Sequence, residues 1–267
     1  MRHFTIRHLI FLIMLLAVTI PLFLNVRLSH AVSDETITAY ANIDSLPPAS
    51  IVLVSFDFEA SSYPEIRPLA EALLNHCFTK NLHVIGVSLF AEGTALGAQL
   101  LSDIAVRHGR RYGNDYVYLG YRPQYQAAIL ALGQSISKEF PTDYYDLKIS
   151  DMILLKEVDN YSRIALVISI ADGSMPTYWV DYAVTQYHVK FETALTATMA
   201  TSFYPYLSSG QISGMVAGIK GAAEYELLAK QAGAGSRGLF AQSIAQIVVL
   251  AVIVAGNIVD LRRKRQL

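Results

Sequence analysis

Apolar residues along this chain fall into two kinds of run. Near each end a long stretch is apolar all round, and between them short apolar runs alternate with segments whose apolar positions recur every third or fourth residue. The alternating part opens at 51–59, IVLVSFDFE, where four apolar residues lead into Ser55, Phe56, Asp57, Phe58 and Glu59. That pattern predicts a strand buried on both faces that surfaces at its carboxyl end carrying acids. Residues 64–80 follow with Ile66, Leu69, Ala70, Leu73, Leu74 and Cys77 at helical spacing. The alternation then repeats, with strands expected at 82–90, 116–119, 163–171 and 189–197 and helices at 93–109, 124–139 and 176–187. Residues 141–161 read as irregular, and 203–230 as one or two closing helices. Strands separated by helices of about 15 residues cannot pair as hairpins. The predicted class is therefore α/β: a mostly parallel, doubly wound sheet of about five strands with helices on both faces.

The two long runs turn a free-standing domain into a membrane-held one. Residues 9–24, LIFLIMLLAVTIPLFL, carry no charge and are bracketed by Arg2 and Arg7 on one side and Arg27 on the other. With Asn25 and Val26 they reach the length of a membrane span. Ser29 and Ala31 place small residues where a signal peptidase cuts, so residues 1–31 read as a transmembrane anchor or a signal peptide. Residues 240–259 form a second span, and Arg262, Arg263, Lys264 and Arg265 after it fix that end in the cytoplasm. The expected organisation is the N-terminal segment, 1–31; a polar linker, 32–50; an extracytoplasmic α/β domain, 51–230; a Gly-rich linker, 231–239; and a C-terminal transmembrane helix with a basic tail, 240–267. Both termini are then cytoplasmic in a two-pass chain, or the chain is single-pass if its N-terminal segment is removed. Gln242, Ser243, Gln246 and Asn257 lie within or at the edge of the second span, where polar side chains seek a partner helix or snorkel to the ends.

Composition adds exclusions. A formal net charge of −1 gives no footprint for nucleic acid. Cys77 is the single cysteine, which removes an intrachain disulfide and a Cys-rich zinc site. No cofactor is indicated. The expected partners are the lipid bilayer and either another membrane protein or further copies of the chain.

In an open parallel sheet, ligands bind beyond the carboxyl ends of the strands, where strand order reverses. The candidate ligand-binding residues are therefore strand-end side chains: Asp57 and Glu59 after the first strand, Glu92 and Thr94 after the second, Tyr121 and Arg122 after the third, Asp172 and Ser174 after the fourth. Asp57 and Glu59, two apart, share one side of a strand, and Asp172 can approach from a neighbour. Such a trio suits Mg²⁺ or Ca²⁺, or a carboxyl of raised pKa for acid–base work. The plainer reading is that strand ends are polar because they are loops in water, with Arg122 paired to one of the acids. Tyrosines crowd the chain after Tyr112; most fill the core, and Tyr121, Trp179, Tyr204 and Tyr206 stand beside predicted loops, with Tyr204 taken as a further ligand-binding candidate.

No nucleophile motif survives inspection. Gly233, Gly235 and Gly238 match a dinucleotide fingerprint in letters only, since they precede an apolar span rather than follow a strand. Gly210, Gly214, Gly218 and Ala222 recur every fourth residue, which on a helix makes a smooth face for close packing. The combination of SFDFE at 55–59, YVYLGYRP at 116–123, FPTDYY at 140–145, YPYLSSGQ at 204–211 and GIKGAAEYE at 218–226, with the terminal span and basic tail, resembles an uncharacterised family of two-span membrane proteins of bacteria and archaea. The resemblance implies no activity and no catalytic residues. The alternation of units also looks like half of a type I periplasmic binding protein, an analogy of fold. The expected function is a membrane-tethered, extracytoplasmic ligand- or partner-binding module and non-catalytic component of a membrane complex; the alternative is a metal-assisted hydrolase using Asp57, Glu59 and Asp172.

Overall fold

The structure, a computed structural model, describes residues 6–24 and 31–264. Ser29, on which the signal-peptidase reading rests, and the flanking Arg2, Arg27 and Arg265 lie outside the described residues. The first helix is α1, Ile6–Phe23, and the second is α2, Asp34–Asp44. Alternating strands and helices follow: β1 (Ile51–Asp57), α3 (Tyr63–Thr79), β2 (His83–Ser88), α4 (Gly93–Arg107) and β3 (Tyr116–Tyr121). Next come α5 (Tyr125–Gln134), α6 (Ile136–Glu139), β4 (Ile164–Ala171), α7 (Met175–Trp179) and α8 (Thr185–Tyr187), then β5 (Phe191–Leu195), α9 (Ala197–Ser208), β6 (Gly214–Ala217), α10 (Gly218–Leu228) and α11 (Ala234–Lys264).

All six strands are parallel, in the order β3-β2-β1-β4-β5-β6. Alternation along each strand divides the core in two. Val52, Val54 and Phe56 of β1 face a layer built from α3, α4 and α10, while Leu53 faces the layer carrying Ile129, Trp179 and Phe203. The doubly wound α/β expectation is met, with six strands in place of five. β6 is missed because Gly214-Met215-Val216-Ala217 is only four residues long and begins on glycine, too short for its period to register.

That strand also corrects the glycine stripe. Gly210 sits in a turn at φ +75°, Gly214 is in β6, and Gly218 opens α10 at φ +63°, so the three share no helical face. Gly214 is needed for a different close approach: a Cβ there would lie 2.7 Å from the Ala39 Cα of α2. The supposed linker 32–50 is thus structured, with Thr36, Ala39 and Ile43 buried at helical spacing against the sheet edge. Gly214→Ala is expected to push α2 off β6 and lower the unfolding free energy by about 2 kcal/mol, measured by denaturant titration.

The Gly-rich linker is likewise anchored. Glu226 of α10, almost fully buried, accepts hydrogen bonds from the backbone N–H groups of Gly233 (3.0 Å), Gly235 (2.8 Å) and Ser236 (2.8 Å), and from the Ser236 hydroxyl (2.6 Å). An acid there satisfies the free N–H groups that open α11. Two residues earlier, Glu224 accepts from Ser33 N–H (3.2 Å), Ser33 Oγ (2.6 Å) and Thr36 Oγ1 (3.0 Å), clamping the start of α2. Neighbouring acids of one helix therefore hold both chain segments that lead away from the domain.

Among the described residues, one helix is long and apolar enough to cross a membrane, over Ala234–Ile258; the apolar run of α1, Arg7–Phe23, is shorter. The two helices pack against each other.

Candidate functional site

β1 connects through α3 to β2 on one side, while β4 lies on the other, so strand order reverses between β1 and β4. Beyond that switch point lies an open cavity of about 400 Å³. Asp57 lies at its floor. Glu59, Ser62, Asp172 and Ser174 form the rim, and Phe90, Tyr125, Met175 and Tyr178 the walls. The Tyr125 and Tyr178 rings lie 4.4 Å apart between centroids.

Asp57 is 1% exposed. Its Oδ1 accepts from Ser55 Oγ (2.7 Å) and Leu89 N–H (3.0 Å); its Oδ2 accepts from Ser169 Oγ (2.9 Å) and Trp179 Nε1 (3.1 Å). The side chain thus ties β1 to β4, to the turn after β2 and to α7. Burial pushes its carboxyl above the usual carboxylate range, and the four donors pull the other way. All of its acceptor sites are engaged within the fold. Trp179 ends α7, and the chain continues through one π-helical turn, Val180–Val184, before α8, so the helix expected at 176–187 carries an extra residue in its ladder.

Two further acids accept from the backbone of the turn after β1. Asp172 Oδ2 accepts from Glu59 N–H (2.9 Å), and Glu92 Oε2 accepts from Ala60 N–H (3.1 Å). In dinucleotide-binding proteins of this strand order, the first strand-to-helix turn is glycine-rich and its N–H groups hold the pyrophosphate. Here that turn is Asp57-Phe58-Glu59-Ala60-Ser61-Ser62, without glycine, and two carboxylates take the donors. The crevice is acidic where that fold usually receives phosphate.

The sequence-derived candidates separate accordingly. Asp57, Glu59, Asp172 and Ser174 come together at the crevice, with Glu92 one hydrogen bond away. Thr94 lies in the first turn of α4 and donates to the Phe90 carbonyl (3.3 Å). Tyr121 is the exposed last residue of β3. Arg122 donates to the Glu139 carbonyl (2.9 Å from Nε), lies 3.4 Å from its carboxylate and covers the Phe140 ring at 4.3 Å. It is a structural pair, but with α6 rather than with a strand-end acid. Tyr204 donates from α9 to Glu35 of α2 (2.8 Å), at the far edge of the sheet. Tyr206 packs on Phe203. The aromatic wall was missed: Tyr125 opens α5 and Tyr178 lies within the short α7, each in the first helix past a strand end, a position that marked them as well as it marked Tyr121.

Among the described residues, no group of three His, Cys, Asp or Glu side chains is placed to hold a metal ion. With the Asp57 oxygens saturated from within, Asp57, Glu59 and Asp172 are adjacent without forming a ligand set. Sheet order and switch-point crevice define an open, all-parallel α/β domain of the Rossmann type. No protein-family model, curated protein or solved structure matches the chain.

Proposed function

We propose that the protein is a membrane-held binding module, a non-catalytic component of a membrane complex, whose switch-point crevice takes a small cationic ligand. The observation that carries this reading is the crevice itself: an aromatic pair, Tyr125 and Tyr178, facing a rim of Glu59 and Asp172, with the phosphate-binding N–H groups already used. An ammonium group is attracted both by carboxylates and by ring faces, whereas an anion there is repelled by the two carboxylates. In this reading α1 and α11 cross the membrane side by side, both termini are cytoplasmic, and the sheet stands outside.

The test uses the full-length protein purified in mild detergent. Choline and putrescine are expected to raise the unfolding temperature, while AMP and glucose leave it unchanged; saturation at about 100 times Kd corresponds to about 2.7 kcal/mol. Tyr178→Ala is expected to weaken the amine response about tenfold. A response to AMP alone, or an amine response indifferent to Tyr178→Ala, refutes the assignment. Sidedness is tested separately: a thiol placed by Tyr204→Cys, at a 43% exposed position, is expected to react with an impermeant maleimide on intact cells.

A further inference from the structure

The apolar helix α11 is not uniform around its circumference. Ala241 is buried and Ala245, Val248 and Val252 are half-buried, a spacing of i, i+4, i+7 and i+11 that marks the face toward α1. At about 100° per residue, Gln242, Gln246, Ile253 and Asn257 fall within about 60° of one another on a different face. All four are exposed, and among the described residues none offers a hydrogen bond to the three amides. Ser243 behaves differently: its hydroxyl donates to the Leu239 carbonyl one turn back (2.8 Å), so it needs no neighbour. Gln246 is the thirteenth of the 25 residues in Ala234–Ile258, the middle of the apolar span, where a glutamine side chain is too short to reach either interface.

We propose that this amide stripe is a self-association seam: α11 pairs with α11 of a second copy, Gln242, Gln246 and Asn257 hydrogen-bonding with their own counterparts. The inference rests on reading α11 as a membrane span. Copies inserted with the same sidedness pair about a two-fold axis along the membrane normal, so each stripe position meets itself. A carboxamide suits that geometry because it carries two N–H donors and an acceptor oxygen and so complements its own copy. Gly256 lies beside the stripe with nothing within 4 Å of where a Cβ would be, leaving room for close approach. The α1 face offers no competing polar groups, and α1 already covers it.

Single cysteines at Gln246→Cys and Ile253→Cys on the stripe, and at Ile247→Cys and Val254→Cys off it, are introduced into the full chain and oxidised in native membranes. Cys77 is buried and stays in place as the background control. The stripe positions are expected to give a disulfide-linked species of twice the monomer mass, and the other two positions about tenfold less. Gln242→Leu combined with Gln246→Leu is expected to reduce the dimer fraction in detergent about tenfold. Equal crosslinking on both faces, crosslinks only to a partner of different mass, or a dimer indifferent to the double substitution overturns the seam. Carbonate washing separates the two premises: a protein retained in the membrane without stripe crosslinks refutes the seam alone, and a protein released by carbonate refutes the span and the seam together.

Discussion

Asp57→Ala is expected to lower the unfolding free energy by about 4 kcal/mol, the largest single-residue effect outside the apolar core. Two of the four donors that converge on this carboxylate, the Ser55 and Ser169 hydroxyls, can turn to other acceptors. The other two cannot: Leu89 N–H is fixed by the backbone and Trp179 Nε1 by a fully buried indole. Removing the acceptor strands both in a dry interior and opens a void beneath the crevice. Asp57→Asn keeps the shape and one acceptor oxygen but turns an N–H₂ toward one fixed donor, so it is expected to cost about half as much. Trp179 is the only tryptophan in the chain, and its emission reports both the unfolding midpoint and the loss of the indole bond directly. Equal midpoints for Asp57→Ala and the unmodified protein in urea would show that the four bonds contribute nothing net.

The same residue shows which parts of this molecule are legible in sequence. The opening strand, its acidic end and the alternation of strands with amphipathic helices follow from periods of 2 and 3.6 over runs long enough to register, so the α/β class and five of the strands are readable. The position of the crevice is readable too, because parallel strands place their loops at one end. What Asp57 does there is not readable, since its partners Leu89, Ser169 and Trp179 are 32, 112 and 122 residues away. Strand order, which no local pattern encodes, decides that they meet. β6 and α2 escaped for a related reason: each is short, weakly patterned, and stabilised by the other at the sheet edge. The Arg122 pairing was foreseen in kind but not in partner, because Glu139 reaches it through the fold of α5 onto α6.

The stability of this protein is expected to fall as pH rises from about 4.5 to about 8, and Glu192→Gln is expected to abolish much of that slope. Glu192 is 1% exposed on β5, and its Oε2 has no hydrogen-bond partner among the described residues. Its Oε1 accepts from Asn42 of α2, whose amide also donates to the Ser213 carbonyl (3.0 Å). Burial pushes the carboxyl up to about 8 against the weaker pulls of Asn42 and Lys190. Apart from Lys190, the ionisable groups coupled to it stay neutral: the Cys77 thiol of α3 is pushed up to about 12 and the Tyr225 phenol of α10 is raised far above its usual range. An unfolded glutamate ionises near pH 4.3. Between that value and the folded one, the folded state holds a proton the unfolded state has lost, so stability drops by about 1.4 kcal/mol per pH unit, and above both values the slope vanishes. Glutamine keeps the oxygen that Asn42 needs and carries no proton to lose. Urea midpoints at pH 5 are therefore expected to lie close together, whereas by pH 8 the Glu192→Gln protein is more stable by about 4 kcal/mol. Taking the difference between the two proteins cancels the titrations of His76 and Asp44, which lie in the same cluster. Profiles that stay parallel from pH 5 to 8 would mean that Glu192 is ionised in the folded protein at neutral pH.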